Sequence, residues 1–122
     1  MGTKMRTKEL NIKQDMPPAD VAVANMEIEI EALAGSEVGA VKVIHGYGSH
    51  GTGGEIRRLA RDRLKELKRQ GKILDFVEGE RWGKFAIEKF NVVTDYPEFI
   101  LEGDMQSFNS GITIVFLKQK RN

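Results

Sequence analysis

The feature that most constrains the fold of this chain lies within residues 41–69, where an apolar run precedes a glycine-rich stretch and a long amphipathic segment. The run Val41-Lys42-Val43-Ile44 is rich in β-branched residues, which is typical of a buried strand. Residues 45–54 contain five glycines, and an apolar period of 3.6 residues begins directly after them. This order predicts a strand, a tight loop and a helix whose N-terminus, together with the loop N–H groups, suits an anion.

The start of this helix is predicted from the sequence Thr52-Gly53-Gly54-Glu55, which fits a capping box. In that motif the threonine hydroxyl and the glutamate carboxylate each accept a hydrogen bond from a backbone N–H. Gly71 supplies the expected stop. The apolar stripe that should face the core comprises Ile56, Leu59, Ala60, Leu64 and Leu67.

The other side of the helix is predicted to be exposed and cationic. Its row of cations begins at the glycine loop and consists of Arg57, Arg61, Lys65 and Lys68. Such a row could track the phosphates of a nucleic acid. A cationic helix face is also often only a solvated one, and Arg58 with Asp62 makes an ordinary intrahelical pair here.

Length and composition narrow the class of protein. The 122 residues suit one domain, and the absence of cysteine excludes disulfide scaffolds and thiolate zinc sites and fits a reducing compartment. No apolar run approaches the roughly 18 residues of a membrane span, so we expect a cytoplasmic protein without a membrane partner. The net charge is +1, but residues 42–72 are basic and residues 15–41 acidic, which favours an oriented encounter with a polyanion.

The apolar pattern predicts three further strands, over residues 9–13, 72–78 and 112–117. A first helix should run from Pro17-Pro18 to Gly35. A strand is the alternative for part of it, because apolar residues and glutamates alternate over residues 26–31.

These elements predict an α/β fold, a two-layer sandwich of the form β-α-β-α-β-flap-β, with a mixed four-stranded sheet and two main helices. Residues 1–8 should form a flexible basic arm, residues 9–118 the domain, and residues 119–122 a basic tail.

The flap, residues 80–108, shows no sustained period but contains most of the aromatic residues: Trp82, Phe85, Phe90, Tyr96, Phe99 and Phe108. A segment of this kind more often packs on the core, and alternatively its exposed rings could stack on bases.

Several motifs together resemble the Smr (small MutS-related) domain, a nucleic-acid-associated α/β module. They are the loop His45-Gly46-Tyr47-Gly48, the pair Thr52-Gly53 that opens a basic helix with Arg57, and the ending Ser110-Gly111-Ile112-Thr113-Ile114-Val115. The resemblance covers roughly residues 9–117. It implies binding to DNA or RNA by structure rather than by sequence, and an endonuclease activity that is reported for some members.

One departure bears on cleavage. Where the family has Leu-Asp-x-His, this chain has Leu10-Asn11-Ile12-Lys13. Asn11 cannot accept a proton or hold a metal as a carboxylate does, and a lysine near its normal pKa is no general base at neutral pH. We therefore predict binding and do not favour cleavage, and Lys13 could itself bind a phosphate.

The predicted site combines backbone donors from the glycine loop with side chains at its edge. Its nucleic-acid-binding residues are Lys13, His45, Gly46, Tyr47, Gly48, Gly51, Thr52, Gly53, Arg57, Arg61, Lys65 and Lys68.

Two roles are open for His45. It could fix the loop by hydrogen bonding to the backbone, or act as the lone acid or base in RNA cleavage, which makes it the candidate catalytic residue. His45 and His50 could share a metal ion only with a further ligand, which the spacing does not identify. We predict no metal site and no cofactor.

Two alternatives belong to other classes of function. The stretch Gly46-Tyr47-Gly48-Ser49-His50-Gly51 matches the dinucleotide-binding pattern G-x-G-x-x-G, with Asp75 as the ribose-binding acid, but the predicted helix start lies beyond the third glycine. A Walker A site lacks its Gly-Lys-Ser/Thr step. In the second alternative, the acidic first helix and the aromatic flap dock a protein partner, and the glycine loop is only structural.

Overall fold

The computed structural model describes residues 5–46, 51–101 and 109–118. It contains four strands and two long helices, with three shorter helices and a 3-10 turn (Gly79–Arg81) between the last two strands. In chain order the elements are β1 (Arg6–Asn11), α1 (Ala19–Leu33), β2 (Val38–Ile44), α2 (Gly51–Arg69), β3 (Asp75–Glu78), α3 (Lys84–Lys89), α4 (Val92–Asp95), α5 (Glu98–Leu101) and β4 (Ile112–Phe116). The predicted fold class, a mixed four-stranded sheet with two main helices, is confirmed.

The sheet has the order β1-β2-β4-β3. β1 is parallel to β2, whereas β4 is antiparallel to both of its neighbours, β2 and β3. Ile44 is paired with Asn11 on one side and with Ile112 on the other, and Glu78 is paired with Thr113. The carboxyl ends of β1, β2 and β3 therefore lie at one edge of the sheet, and the glycine stretch follows β2 at this edge.

Each face of the sheet is covered. On one face α1 and α2 bury the apolar stripes that the helical period predicts, including Met26, Ile30, Ile56 and Leu64. On the other face the flap contributes a second apolar cluster, in which the ring of Phe90 stacks on Phe116 with centroids 3.9 Å apart. The interpretation of the flap as a segment packed on the core is confirmed for its described part.

Within its described part, the flap has one aromatic side chain that is exposed to solvent. Trp82, Tyr96 and Phe99 are buried and Phe90 is partly buried, but Phe85 is 79% exposed. Phe108 lies outside the described residues. The three buried rings cannot stack on bases, because they form part of the core.

The first strand and the first helix differ in part from expectation. β1 begins at Arg6, so residues 6–8 belong to a strand and not to a flexible arm. Residues 26–31 are helical, which decides against the strand alternative. Met26 and Ile30 are buried, whereas Ile28 is 64% exposed, so the three residues do not share one face.

The start of α2 also differs. The helix begins at Gly51, so Thr52 lies within its first turn and does not precede the helix as a cap residue should. β3 is shorter than predicted, beginning at Asp75. No helix in the described ranges combines the length and the apolar character that crossing a membrane requires.

Candidate functional site

Lys13, a predicted phosphate contact, lies against Gly46 at the start of the glycine stretch. The backbone N–H of Ile12 donates to Ile44 O at 3.0 Å, which continues the β1–β2 pairing beyond the strand ends. The N–H of Lys13 then donates to Asn11 Oδ1 at 3.2 Å. A Cβ atom built on Gly46 would lie 3.0 Å from Lys13 Cδ, so the lysine stem passes directly over this glycine. Asn11, where the Smr motif has aspartate, here helps to shape the turn that carries Lys13.

Gly46 has a structural role that differs from the predicted one. Its φ of +82° lies in the left-handed region that favours glycine. Its N–H donates to Gly111 O at 3.0 Å, and the N–H of His45 donates to the same oxygen at 3.1 Å. The prediction that Gly46 offers its N–H to an anion is therefore wrong, because that N–H already donates to Gly111, the residue before β4.

His45 is fully buried, and its two ring nitrogens are both occupied. Nδ1 lies 2.9 Å from Gly46 O, and Nε2 lies 2.8 Å from Thr113 Oγ1. A carbonyl oxygen can only accept, so Nδ1 carries the proton. In the neutral ring, Nε2 then accepts from the Thr113 hydroxyl. This arrangement matches the loop-fixing role of His45 and withdraws the ring from any substrate, so the catalytic assignment is not supported.

We expect the His45 ring to titrate well below its ordinary range. Burial lowers its pKa from 6.5 to about 4, and the positive charges of Arg61 and Arg57 act in the same direction. As the pH falls from about 6.5 to about 4, His45 binds a proton in the unfolded chain but stays neutral in the folded chain. The free energy of unfolding should fall by about 3 kcal/mol over this range from this residue alone.

The measurement is an NMR titration of the ring proton signals, with the variant His50→Gln assigning the remaining resonance to His45. A midpoint near 6.5 for His45 would contradict the buried, neutral ring.

The structure places Arg61 inside the protein, which corrects its prediction as an exposed phosphate contact. The side chain is 8% exposed. Its two terminal nitrogens each donate to a carboxylate oxygen of Glu80 at 2.7 Å, and Nε donates to Thr113 Oγ1 at 3.0 Å. Arg61 also lies 3.3 Å from a carboxylate oxygen of Glu78. Its donors are used within the fold.

Arg61, Thr113 and His45 form one continuous hydrogen-bonded chain. The arginine donates to the threonine hydroxyl, the hydroxyl donates to the ring, and the ring donates to Gly46 O. Burial raises the pKa of the Glu80 carboxyl, but the hydrogen bonds and charge of Arg61 outweigh it and the pKa is lowered. The sequence did not reveal Thr113 or Glu80 as members of this network, because they lie far from the loop along the chain.

The other predicted cations divide into two groups. Lys68 is occupied, because its Nζ lies 2.9 Å from Asp75 Oδ1. Arg57 is partly exposed and Lys65 is exposed, and within the described ranges neither forms an ion pair. Arg57 is also near His45, since its charge contributes to the low pKa of that ring. Arg57 and Lys13 are therefore the predicted cations that remain next to the His45–Gly46 pair.

The N-terminus of α2 supplies further donors. The first N–H groups of an α-helix have no acceptor within the helix. The first turn of α2 begins at Gly51 and contains no acidic residue. Thr52 and Gly53 lie in that turn, and the side chain of Thr52 is not described. Tyr47 and Gly48 lie outside the described residues.

Two features bear on cofactors and metals. Gly51, the third glycine of the dinucleotide-binding pattern, is the first residue of α2. The start of the helix is therefore compatible with that pattern, contrary to the prediction that the helix begins beyond this glycine. Asp75, however, is paired with Phe116, which also faces Ala40 and not Ile44. The expected ribose acid is thus at the opposite edge of the sheet from the loop, and its carboxylate is held by Lys68 and Lys89.

In the part of the chain that the structure describes, no three His, Asp or Glu side chains converge as metal ligands.

No family model, no curated protein and no solved structure matches the chain. The resemblance to the Smr domain therefore depends on the loop, helix and closing-strand residues of this sequence alone.

Proposed function

We propose that the chain is an Smr-like domain that binds the phosphate backbone of DNA or RNA at the N-terminus of α2. The observation that carries the proposal is the position of Lys13, whose stem crosses Gly46 at the edge of the sheet from which α2 begins. Lys13 contributes a cation at the end of the sheet where β2 leads on to α2, and the first turn of α2 contains no acidic residue, a combination that favours an anion. A phosphate at this position fits that charge.

Arg57 supports the same assignment. It lies nearly two turns into α2 and near His45, and it forms no ion pair with any described residue. Its charge acts on the pKa values of both His45 and Glu80, so the guanidinium lies beside the network that holds the end of β2. Lys65 continues from Arg57 along α2 at a spacing of two turns and is exposed. The proposed contact row thus consists of Lys13, Arg57 and Lys65.

The rest of the site would hold this row in place. The hydrogen-bonded chain from Arg61 through Thr113 to His45 fixes the end of β2 against β4. Because Arg61 belongs to α2, the same chain also ties α2 to the end of β2, and such preorganisation reduces the ordering cost of binding. Binding without cleavage follows from the chemistry, since Asn11 is no base and the His45 ring is enclosed.

We expect Arg57→Gln to weaken binding and to reduce its salt dependence. The slope of log K against log salt should fall by about one, because one phosphate contact is lost. Fluorescence anisotropy with labelled single-stranded RNA and duplex DNA across a salt series measures this slope.

The matched control is Arg58→Gln, which removes the same charge from the neighbouring position. Arg58 is exposed and lies 3.8 Å from Asp62. Its loss should change the slope less than the loss of Arg57. Equal effects of the two variants would indicate diffuse attraction to the net charge and would contradict a defined site.

A further inference from the structure

A second surface of this protein has the opposite character. The outward side of α1 carries apolar residues at helical spacing, namely Val21, Ala24, Ile28 and Ala32. Val21 is 44% exposed and Ile28 is 64% exposed. The buried side of the same helix is also apolar and already faces the sheet and α2. α1 therefore has a second apolar stripe, and no described element of the chain covers it.

Carboxylates flank this stripe. α1 contains no lysine or arginine, and its charged residues are Asp20, Glu27, Glu29 and Glu31. On a helix of 3.6 residues per turn, Asp20, Glu27 and Glu31 follow one flank and Glu29 lies on the other. Within the described ranges Asp20, Glu29 and Glu31 form no ion pair. The stripe is thus bordered by four carboxylates, of which only Glu27 is paired within the described ranges, with Arg63.

A groove runs beside the stripe, between α1 and α2. One part of it, about 460 Å³ in volume, has an apolar floor that includes Val23 and Leu59. A second part continues past Asp20 and Leu59 to Met16, which is 55% exposed. The carboxylates that border these two parts are Asp20, Glu27, Glu55, Asp62 and Glu66. Glu27 is paired with Arg63, Asp62 with Arg58 and Glu66 with Arg69, whereas Asp20 and Glu55 form no ion pair within the described ranges.

We propose that the acidic groove, meaning the outward stripe of α1 together with this adjoining cleft, docks a basic amphipathic helix of a partner protein. An amphipathic helix fits an apolar groove by placing one apolar face in it. Lysine or arginine on both sides of that face would meet the carboxylates that border the stripe. Charge complementarity therefore selects the partner, and the apolar stripe provides the area that it buries.

Other occupants fit this surface less well. A second copy that packs α1 on α1 about a twofold axis would bring acidic flanks together. The exposed large apolar residues of the described chain include none on α2, so the cationic side of that helix offers no apolar stripe to dock. A nucleic acid or an anionic membrane surface would be repelled by the same carboxylates.

The probe for the test is a synthetic 18-residue helix of leucine and lysine with an apolar face, compared with a peptide of the same composition in an order that lacks this face. We expect the amphipathic peptide to bind more tightly, with an affinity that decreases as salt increases. Ile28→Ser should weaken binding by about tenfold or more, because the residue lies at the centre of the stripe.

Val93→Ser is the matched control, since Val93 is 69% exposed but lies on α4. It should leave the affinity unchanged, and circular dichroism of both variants should match the unchanged chain. The proposal is overturned if the two variants behave alike, if a leucine–glutamate helix binds equally well, or if light scattering shows that the chain covers this face by self-association that Ile28→Ser abolishes.

Discussion

Gly79→Ala should destabilise the domain strongly, and much more than alanine at Gly83. Gly79 is buried directly after β3, and a Cβ atom there would overlap the carbonyl oxygen of Asn109. It would also lie 2.6 Å from Ile112 Cγ1 and 2.8 Å from Ile112 O. Two of these three atoms belong to the backbone and cannot rotate away. We expect the free energy of unfolding to fall by about 3 kcal/mol or more, at the upper end of overpacking effects.

Urea unfolding followed by circular dichroism measures this change. The control is Gly83→Ala, because a Cβ atom on Gly83 meets nothing within 4 Å and its backbone is extended. That variant should unfold within about 0.5 kcal/mol of the unchanged chain. Equal stability of the two variants would show that the segment from Asn109 to Ile112 does not pack on Gly79 as described.

Arg61→Ala should destabilise the fold by about 3–5 kcal/mol, the range found when one partner of a buried ion pair is removed. The variant leaves the Glu80 carboxylate without two hydrogen bonds and Thr113 Oγ1 without its donor from Nε. The free energy of unfolding of Arg61→Lys should lie between those of Arg61→Ala and the unchanged chain. An ammonium group keeps the charge but cannot donate to both carboxylate oxygens in the planar geometry of arginine.

Arg58→Ala is the control on the same helix, since the Arg58 side chain is 63% exposed and its ion pair should contribute less than about 1 kcal/mol. Thermal or urea unfolding of the three variants measures the difference. If Arg61→Ala keeps its stability but loses affinity for nucleic acid, Arg61 is a phosphate contact after all and the buried assignment is wrong.

Much of the fold could be predicted because its patterns are local. The β-branched run of β2, the apolar stripe of α2 and the glycine stop at Gly71 each depend on residues close in sequence. The first helix was harder, because Ile28 belongs to an outward apolar stripe that mimics the alternation of a strand. The extent of β1 was missed, since Arg6, Thr7 and Lys8 carry no apolar period, and their pairing with β2 is a tertiary contact.

The candidate site could be predicted only in part. Lys13 and Gly46 belong to the same predicted site and lie in contact, because the parallel strands β1 and β2 end beside each other, and phosphate binding by Lys13 stays a prediction. Arg61 was predicted to be exposed, and this prediction is wrong because the side chain is buried. Arg61 lies next to Ala60 on the flank of the apolar stripe. Its burial depends on Glu80, in the turn after β3, and on Thr113, in β4, because both side chains accept its hydrogen bonds. A helical period cannot reveal such distant partners.

The claim that matters most is that nucleic acid binds at the N-terminus of α2 beside Lys13. The most direct measurement is a two-dimensional NMR titration of the labelled chain with a short single-stranded RNA and with a duplex DNA. We predict that the largest shifts in backbone amide signals fall on Lys13, Gly46 and the first turn of α2, that α1 stays unchanged, and that the shifts diminish with salt. No shifts at low salt, or shifts centred on α1 or the flap, would contradict the proposed function.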